Sequence, residues 1–202
     1  MGITKNIFKY FPQPVFHYQL DNYEMHNKNL EEYIYKLYAE DKVGLARSNI
    51  NGWHSKPFNL KNKNDAPFKF FQSIQPYVAD TFSEYGWENS PGKVNLTEMW
   101  AIINKKNNFN IEHTHPNNFL SAAYYVKAPE NCGSFIVTNP NNISRERIAP
   151  SNKRTIFNQN IAHIKPKEGD LLLFPAYLPH SVGENKSDED RIVISFNIDI
   201  LK

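Results

Sequence analysis

The sequence contains only one cysteine, Cys132, among its 202 residues. An internal disulfide is therefore excluded, and a single thiol fits a protein of the reducing cytosol, so we expect a cytoplasmic location. No stretch approaches the roughly 20 apolar residues that a membrane-spanning helix needs. The net charge is only +2, from 23 basic and 21 acidic residues, which indicates no general attraction to nucleic acid or to anionic membranes. The composition argues against disulfide scaffolds, membrane helices and polyanion binders.

The length and the 40% hydrophobic content predict one globular domain over residues 1–202. A mostly helical lead-in covers about residues 1–93, where residues 29–38 place apolar side chains at helical spacing. A second amphipathic helix follows Asp65, a candidate cap, and has Pro67 near its first turn. Pro76 must either be accommodated within this helix or end its first segment.

From about residue 94 the pattern changes to short strands separated by Asn, Pro and Gly turns. The predicted strands cover residues 96–103, 119–126, 133–137, 169–174 and 191–199. Many short strands without long helices between them favour a β-sandwich or barrel. Residues 139–160 form a long excursion and a candidate lid.

Three histidines carry the most specific chemical signal. Side chains two residues apart in a strand share a face, so His113 and His115 can point at one metal ion. His180 follows Pro179 and can supply a third ligand from a distant strand, leaving the opposite side of the ion open for substrate or oxygen. The alternative is that His113 and His115 are merely exposed loop residues. The other four histidines are interpreted as structural or surface residues: His17, His26, His54 and His163.

Arg191 opens the last predicted strand, and the alternation of that strand puts Arg191 and Ser195 on one face. A buried arginine is costly unless it meets an anion. A guanidinium binds a carboxylate through two parallel hydrogen bonds, which suits the distal end of a keto-diacid. The alternative is an ion pair with Glu184 or Asp188.

Residues 100–197 resemble the iron(II)/2-oxoglutarate oxygenases of bacteria and their phages that carry an H-x-H-P motif. The matching parts are Trp100 with Asn104, then residues 113–116, 120–126, 169–182 and 191–197. Residues 48–49 and 52–55 also resemble the N-terminal part of the family. The resemblance implies a mainly β fold, a double-stranded β-helix or jelly roll akin to the prolyl hydroxylases, with N-terminal helices packed on a core of about residues 94–202. It also implies iron(II) held by His113, His115 and His180, with 2-oxoglutarate and O2 as co-substrates. Arg191 would hold the far carboxylate of 2-oxoglutarate.

Two positions depart from the pattern of this family. His115 stands where the common facial triad has Asp or Glu. Val193 stands where relatives often have a serine on the same carboxylate as the arginine, and Ser195 is a candidate to replace it. Because three histidines also bind zinc in hydratases, a zinc hydrolase or a cupin-like metal-binding protein is the alternative function. A non-catalytic jelly-roll module, such as a phage structural domain, would need neither metal nor keto acid.

Asn104 and Tyr124 are further candidate co-substrate contacts. The alternatives are that Asn104 is a turn residue and that Tyr124 packs in the core, where we also place Trp100 and Tyr125. The resemblance leaves the primary substrate open between a protein side chain and a small molecule. A phage origin would place the protein in the host cytoplasm. Three aromatic residues could line a groove for an extended substrate: Trp53, Trp87 and Tyr177.

Overall fold

The computed structural model describes residues 4–88, 90, 92–146 and 148–201. Two antiparallel sheets and two long helices account for most of the regular structure. In chain order the elements are β1 (Phe16–Gln19), α1 (Tyr23–Glu40), β2 (Asn49–Ile50), β3 (Trp53–His54), α2 (Ala66–Tyr85), β4 (Val94–Asn104), β5 (Phe109–His113), β6 (Leu120–Lys127), β7 (Phe135–Thr138), α3 (Asn142–Glu146), β8 (Ile161–Ile164), β9 (Asp170–Pro175), β10 (His180–Val182) and β11 (Arg191–Ile200).

The strands form a six-stranded sheet in the order β1-β9-β6-β11-β4-β3 and a five-stranded sheet in the order β2-β5-β10-β7-β8. Every pairing is antiparallel. The fold is therefore mainly β, and the predicted jelly roll is confirmed. Each of the five predicted strands is present, with no bound shifted by more than two residues. The lead-in also contributes β1, β2 and β3, which the sequence pattern did not predict because these strands have only two to four residues.

The helices pack on the outer face of the six-stranded sheet. The main hydrophobic cluster joins Leu30 and Ile34 of α1 to Phe70 and Phe82 of α2, and both helices to the outward side chains of the sheet. A second, smaller cluster lies between the sheets and includes Leu172 of β9. Because the central strands β6 and β9 are covered on both faces, nearly all of their residues are apolar and buried.

The second helix begins after Asp65 and has Pro67 in its first turn, as predicted. The helix continues through Pro76, which occupies a solvent-exposed position. The helix ends at Gly86, which adopts the left-handed conformation with φ of 66° that favours glycine at a helix C-terminus. Among the described residues no helix has both the length and the hydropathy needed to cross a membrane.

The candidate lid, residues 139–160, contains the short helix α3 and little other regular structure. Arg145 of α3 lies 3.9 Å from a carboxylate oxygen of Glu112, the residue next to His113. The segment is thus placed beside the strand that carries the first predicted metal ligand. A closing movement of this segment stays a prediction.

Candidate metal centre and co-substrate cavity

A cavity of about 440 Å³ lies between the two sheets. The six-stranded sheet supplies one wall through β4, β6 and β11, and the five-stranded sheet supplies the other through β5, β7 and β10. This volume is in the range of small-molecule sites. The three predicted metal ligands and Arg191 all line it.

The three histidines converge on one point of the cavity wall. His113 ends β5, His115 follows it, and His180 begins β10, where its Cα pairs directly with that of His113. One nitrogen from each of the three rings lies within 4.8 Å of the others. An ion bonded to two imidazole nitrogens at about 2.1 Å separates them by no more than about 4.2 Å, so the three nitrogens are close to the spacing that one ion requires.

Backbone carbonyls fix two of the three rings. His113 Nδ1 lies 2.8 Å from the carbonyl oxygen of Ile111, and His180 Nδ1 lies 2.9 Å from that of Leu178. Because a carbonyl oxygen only accepts hydrogen bonds, each Nδ1 must carry the proton. Nε2 is then unprotonated in both rings, as a metal ligand requires.

Burial keeps these imidazoles neutral. It lowers the pKa of His115 to about 4 and that of His180 to about 3, and the neighbouring histidines add to both shifts. Burial also lowers the pKa of His113. The three rings are therefore uncharged at neutral pH, which is the form that binds a metal. The donor set fits iron(II) or another imidazole-binding transition metal.

Arg191 is almost completely buried, with 1% of its surface exposed. Its Nη1 donates to the carbonyl oxygens of Cys132 and Gly183, the second at 2.9 Å. Its Nη2 has no hydrogen-bond partner in the described part of the chain. The alternative ion pair with Glu184 or Asp188 is not formed. A buried guanidinium with an unused donor in a cavity fits an anionic ligand, because an unpaired buried charge is costly.

Register places two more predicted contacts beside this arginine. Asn104 pairs directly with Arg191 across β4 and β11, and Ser195 lies four residues further along the same face of β11. Both line the cavity, as does Val193 between them. The Oδ1 atom of Asn104 is buried and has no partner among the described residues. These positions fit a polar co-substrate whose distal end lies at Arg191.

Tyr124 was predicted to contact the co-substrate, and the structure contradicts this. Its hydroxyl donates to Asn27 Oδ1 of α1 at 2.6 Å, and its ring packs against Phe70 in the outer cluster. The cavity face of β6 belongs to Tyr125 instead, and Trp100 also lines the cavity. Both of these were interpreted as core residues. The error follows from β6 being buried on both faces, since its apolar pattern does not distinguish the two sides.

Sequence reasoning also missed three polar residues of the cavity wall. His54 of β3, interpreted as structural or surface, is 7% exposed, lines the cavity and stacks on Trp100 with ring centroids 5.5 Å apart. Ser48 and Asn110 line the cavity beside the metal ligands. For Ser48 and His54 the only signal was the resemblance of residues 48–49 and 52–55 to the oxygenases, because their contacts join residues 46 to 65 positions apart.

The aromatic residues predicted to line a groove have three different environments. Trp53 is buried in the core against Tyr38. Trp87 is half-buried and stacks on Tyr85 with ring centroids 4.1 Å apart. Tyr177 is 59% exposed. None of the three lines the cavity between the sheets.

Three histidines and a buried arginine share one cavity of a jelly roll. This arrangement fits the class of metal-dependent proteins that bind a small anion beside the metal. Residues 98–197 match the family described as "Putative 2OG-Fe(II) oxygenase". The matched region contains all three histidines and Arg191, and the chain belongs to this family of iron(II)- and 2-oxoglutarate-dependent oxygenases.

Several solved structures share this fold. A Pseudomonas putida prolyl-4-hydroxylase has a TM-score of 0.68 and 11% sequence identity, and the alignment covers 94% of each chain. The carbocyclase SnoK from nogalamycin biosynthesis has a TM-score of 0.66 and 11% identity, with 92% of this chain and 79% of that one covered. A viral collagen prolyl hydroxylase from Paramecium Bursaria Chlorella virus-1 has a TM-score of 0.59 and 14% identity, with 92% and 96% covered. No curated protein matches the sequence.

Proposed function

We propose that this protein uses iron(II) and 2-oxoglutarate to hydroxylate a protein side chain or a small molecule. His113, His115 and His180 hold the iron, and Arg191 binds the distal carboxylate of 2-oxoglutarate. The observation that carries the assignment of the site is the unused Nη2 donor of Arg191 in the cavity that the three histidines share. When bound, iron(II), 2-oxoglutarate and O2 together supply the oxidising power for hydroxylating a C–H bond.

The residues of the chain have three tasks in this reaction. The histidine rings are held in one orientation by backbone carbonyls, so they present their Nε2 atoms without reorganisation. Arg191 is fixed by two further carbonyls, which leaves the rest of the guanidinium for the co-substrate. Aromatic side chains exclude water from the cavity between them: Trp100, Tyr125, Phe135 and Phe174.

The proposal covers two classes of primary substrate. The similar structures include a prolyl hydroxylase in complex with a peptide fragment of hypoxia inducible factor and the epimerase SnoN in complex with nogalamycin RO. The proposal therefore includes a peptide and a small molecule as substrate classes. We further propose that residues 1–202 act as one oxygenase domain in the cytoplasm, the host cytoplasm if the protein is phage-encoded. In such a domain β1, β2 and β3 of the lead-in complete the two sheets.

The assignment is tested by adding iron(II) and 2-oxoglutarate to the metal-free protein under anaerobic conditions. Chelation of the metal by the keto acid gives a visible charge-transfer band, and admission of O2 should convert 2-oxoglutarate to succinate and carbon dioxide. Tight zinc binding without this band would instead favour the zinc hydrolase or cupin-like alternative. No metal binding would favour a structural jelly-roll module.

A further inference from the structure

A chain of three polar side chains runs along the cavity wall from Asn104, the neighbour of Arg191, to the metal ligand His113. Asn104 Nδ2 donates to Asn110 Oδ1 at 2.9 Å, and Asn110 Nδ2 donates to Ser48 Oγ at 3.2 Å. Ser48 Oγ lies 3.4 Å from His113 Nε2. Asn104 and Asn110 are buried, with 1% and 3% of their surfaces exposed. The chain thus spans both sheets and the loop that precedes β2.

The direction of these hydrogen bonds is set by His113. Its Nδ1 carries the proton, because its partner is the carbonyl oxygen of Ile111. Its Nε2 is therefore an acceptor, and the donor facing it must be the hydroxyl of Ser48. Since Asn110 donates to Ser48 Oγ, the hydroxyl proton of Ser48 is left to point at His113 Nε2. Asn104 and Asn110 each donate toward the metal site, so this series of hydrogen bonds ends with the Ser48 hydroxyl as the donor at His113.

A metal bound at His113 Nε2 takes the lone pair to which Ser48 donates. The hydroxyl stays in place through Asn110 and needs another acceptor. With the metal held by His113, His115 and His180, an oxygen of the co-substrate bound beside His113 would be the next acceptor for this hydroxyl, because Ser48 Oγ lies 3.4 Å from His113 Nε2.

We infer that Ser48 is a positioning residue that donates a hydrogen bond to a metal-bound oxygen of 2-oxoglutarate, and that Asn110 and Asn104 hold it in this orientation. The inference rests on the proposed function. It gives the co-substrate two points of attachment besides the metal, with Arg191 at the distal carboxylate and Ser48 at the chelating end. It also gives a role to a residue of the lead-in, outside the region that matches the oxygenase family.

The test compares Ser48→Ala with Ser48→Thr by anaerobic titration of the iron(II)-loaded proteins with 2-oxoglutarate, following the charge-transfer band. Hydrogen bonds to charged groups contribute about 1.5–3 kcal/mol, so Ser48→Ala should weaken 2-oxoglutarate binding about 10-fold or more and shift the band. Ser48→Thr keeps the hydroxyl and should bind nearly as the wild type. Asn110→Ala should reproduce most of the loss, because the Ser48 hydroxyl is then no longer oriented.

Two controls separate this role from an effect on the metal. The affinity for zinc(II) without co-substrate should change less than about threefold in Ser48→Ala, and a proportional loss of zinc affinity would overturn the inference. Ser181→Ala is the matched serine control, since Ser181 is half-buried in β10 and does not line the cavity. Unchanged 2-oxoglutarate affinity and an unshifted band in Ser48→Ala would also overturn the inference while leaving the proposed function intact. If the wild type itself formed no band, the proposed function would fail.

Discussion

Arg191 of β11 is directly paired with Asn104 of β4, and both side chains enter the same cavity. The position of the arginine is therefore set by the register of the two strands with the most extensive pairing in the fold. Since successive side chains of a strand alternate between faces, a slip of one residue would turn both out of the cavity. The co-substrate site is thus built on a rigid part of the sheet.

Removing the guanidinium should weaken 2-oxoglutarate binding steeply. Losing one partner of a desolvated charge pair costs about 2–5 kcal/mol, so Arg191→Ala is expected to reduce the affinity roughly 30-fold to several-thousand-fold. Lysine should rescue only partly, because it keeps the charge without the planar pair of donors. Calorimetric titration of the iron-loaded proteins measures the affinity.

Arg191 also donates to two backbone carbonyls, so its replacement affects stability as well. Circular dichroism should therefore establish that Arg191→Ala and Arg191→Lys are folded before they are titrated. Arg145→Ala is a suitable control, because Arg145 lies on the exposed helix α3 and does not line the cavity. Equal 2-oxoglutarate affinity in the wild type and Arg191→Ala would rule out the proposed co-substrate site.

Loss of a histidine ligand should abolish stable iron binding in an otherwise folded protein. His180→Ala and His113→Ala remove imidazoles that line the cavity, while the main hydrophobic cluster lies on the other side of the six-stranded sheet. Metal content after dialysis, measured by atomic emission, checks this expectation. His163→Ala is the matched control, since His163 is exposed on β8. Full iron occupancy in His180→Ala would show that the metal site has been assigned wrongly.

His115 is the unusual ligand, since it takes the position of a carboxylate in the common facial triad. We expect His115→Asp to retain iron, provided that the shorter side chain reaches the ion, and His115→Ala to bind it more weakly. A crystal structure of the iron-loaded wild type gives the direct measurement. Coordination by His113 and His180 without His115 would contradict a three-histidine centre and leave a two-histidine site with an open position.

The sequence was sufficient to place candidate residues on the cavity face of a strand in which polar and apolar side chains alternate. The alternation from Arg191 to Asn197 placed Arg191 and Ser195 on the cavity face, because every second residue of β11 faces the interior. In β6 both faces are apolar, so the same rule could not decide between Tyr124 and Tyr125. The three histidines were found by spacing and resemblance. For Ser48 the sequence offered only the resemblance of residues 48–49 to the oxygenases, because its contacts depend on long-range packing of a loop that has no periodic pattern.

The two adjacent tyrosines of β6 provide a matched test of this assignment. Tyr124→Phe should leave 2-oxoglutarate affinity unchanged and destabilise the fold by about 1–2 kcal/mol, because Asn27 loses its buried partner. Tyr125→Phe should lower the affinity by about 2- to 10-fold, since Tyr125 lines the cavity and pairs with Val193, two residues from Arg191 on the same face of β11. Urea unfolding and calorimetry measure the two effects. A loss of affinity in Tyr124→Phe alone would reverse our assignment of the faces.

The buried histidines should make the metal-free protein less stable at mildly acidic pH. Burial lowers the pKa of His115 to about 4 and that of His180 to about 3, whereas an unfolded histidine has a pKa of 6.5. Above pH 6.5 neither state binds these protons. As the pH falls from 6.5 toward the folded values, the unfolded state binds more protons, so the free energy of unfolding decreases by up to about 1.4 kcal/mol per pH unit for each such histidine.

The contribution of one ligand can be isolated by urea unfolding of chelator-treated wild type and His180→Ala at pH 6 and pH 5. The variant lacks one histidine that stays neutral in the folded state, whereas all other titrating groups are shared. The fall in the free energy of unfolding between the two pH values should therefore be smaller in His180→Ala by about 1 kcal/mol. Saturation with zinc(II) should raise the free energy of unfolding of the wild type at both pH values, because the ion binds the folded ligand set. Equal slopes in metal-free wild type and His180→Ala would mean that His180 is not kept neutral by burial, and the preformed ligand set that we describe would be wrong.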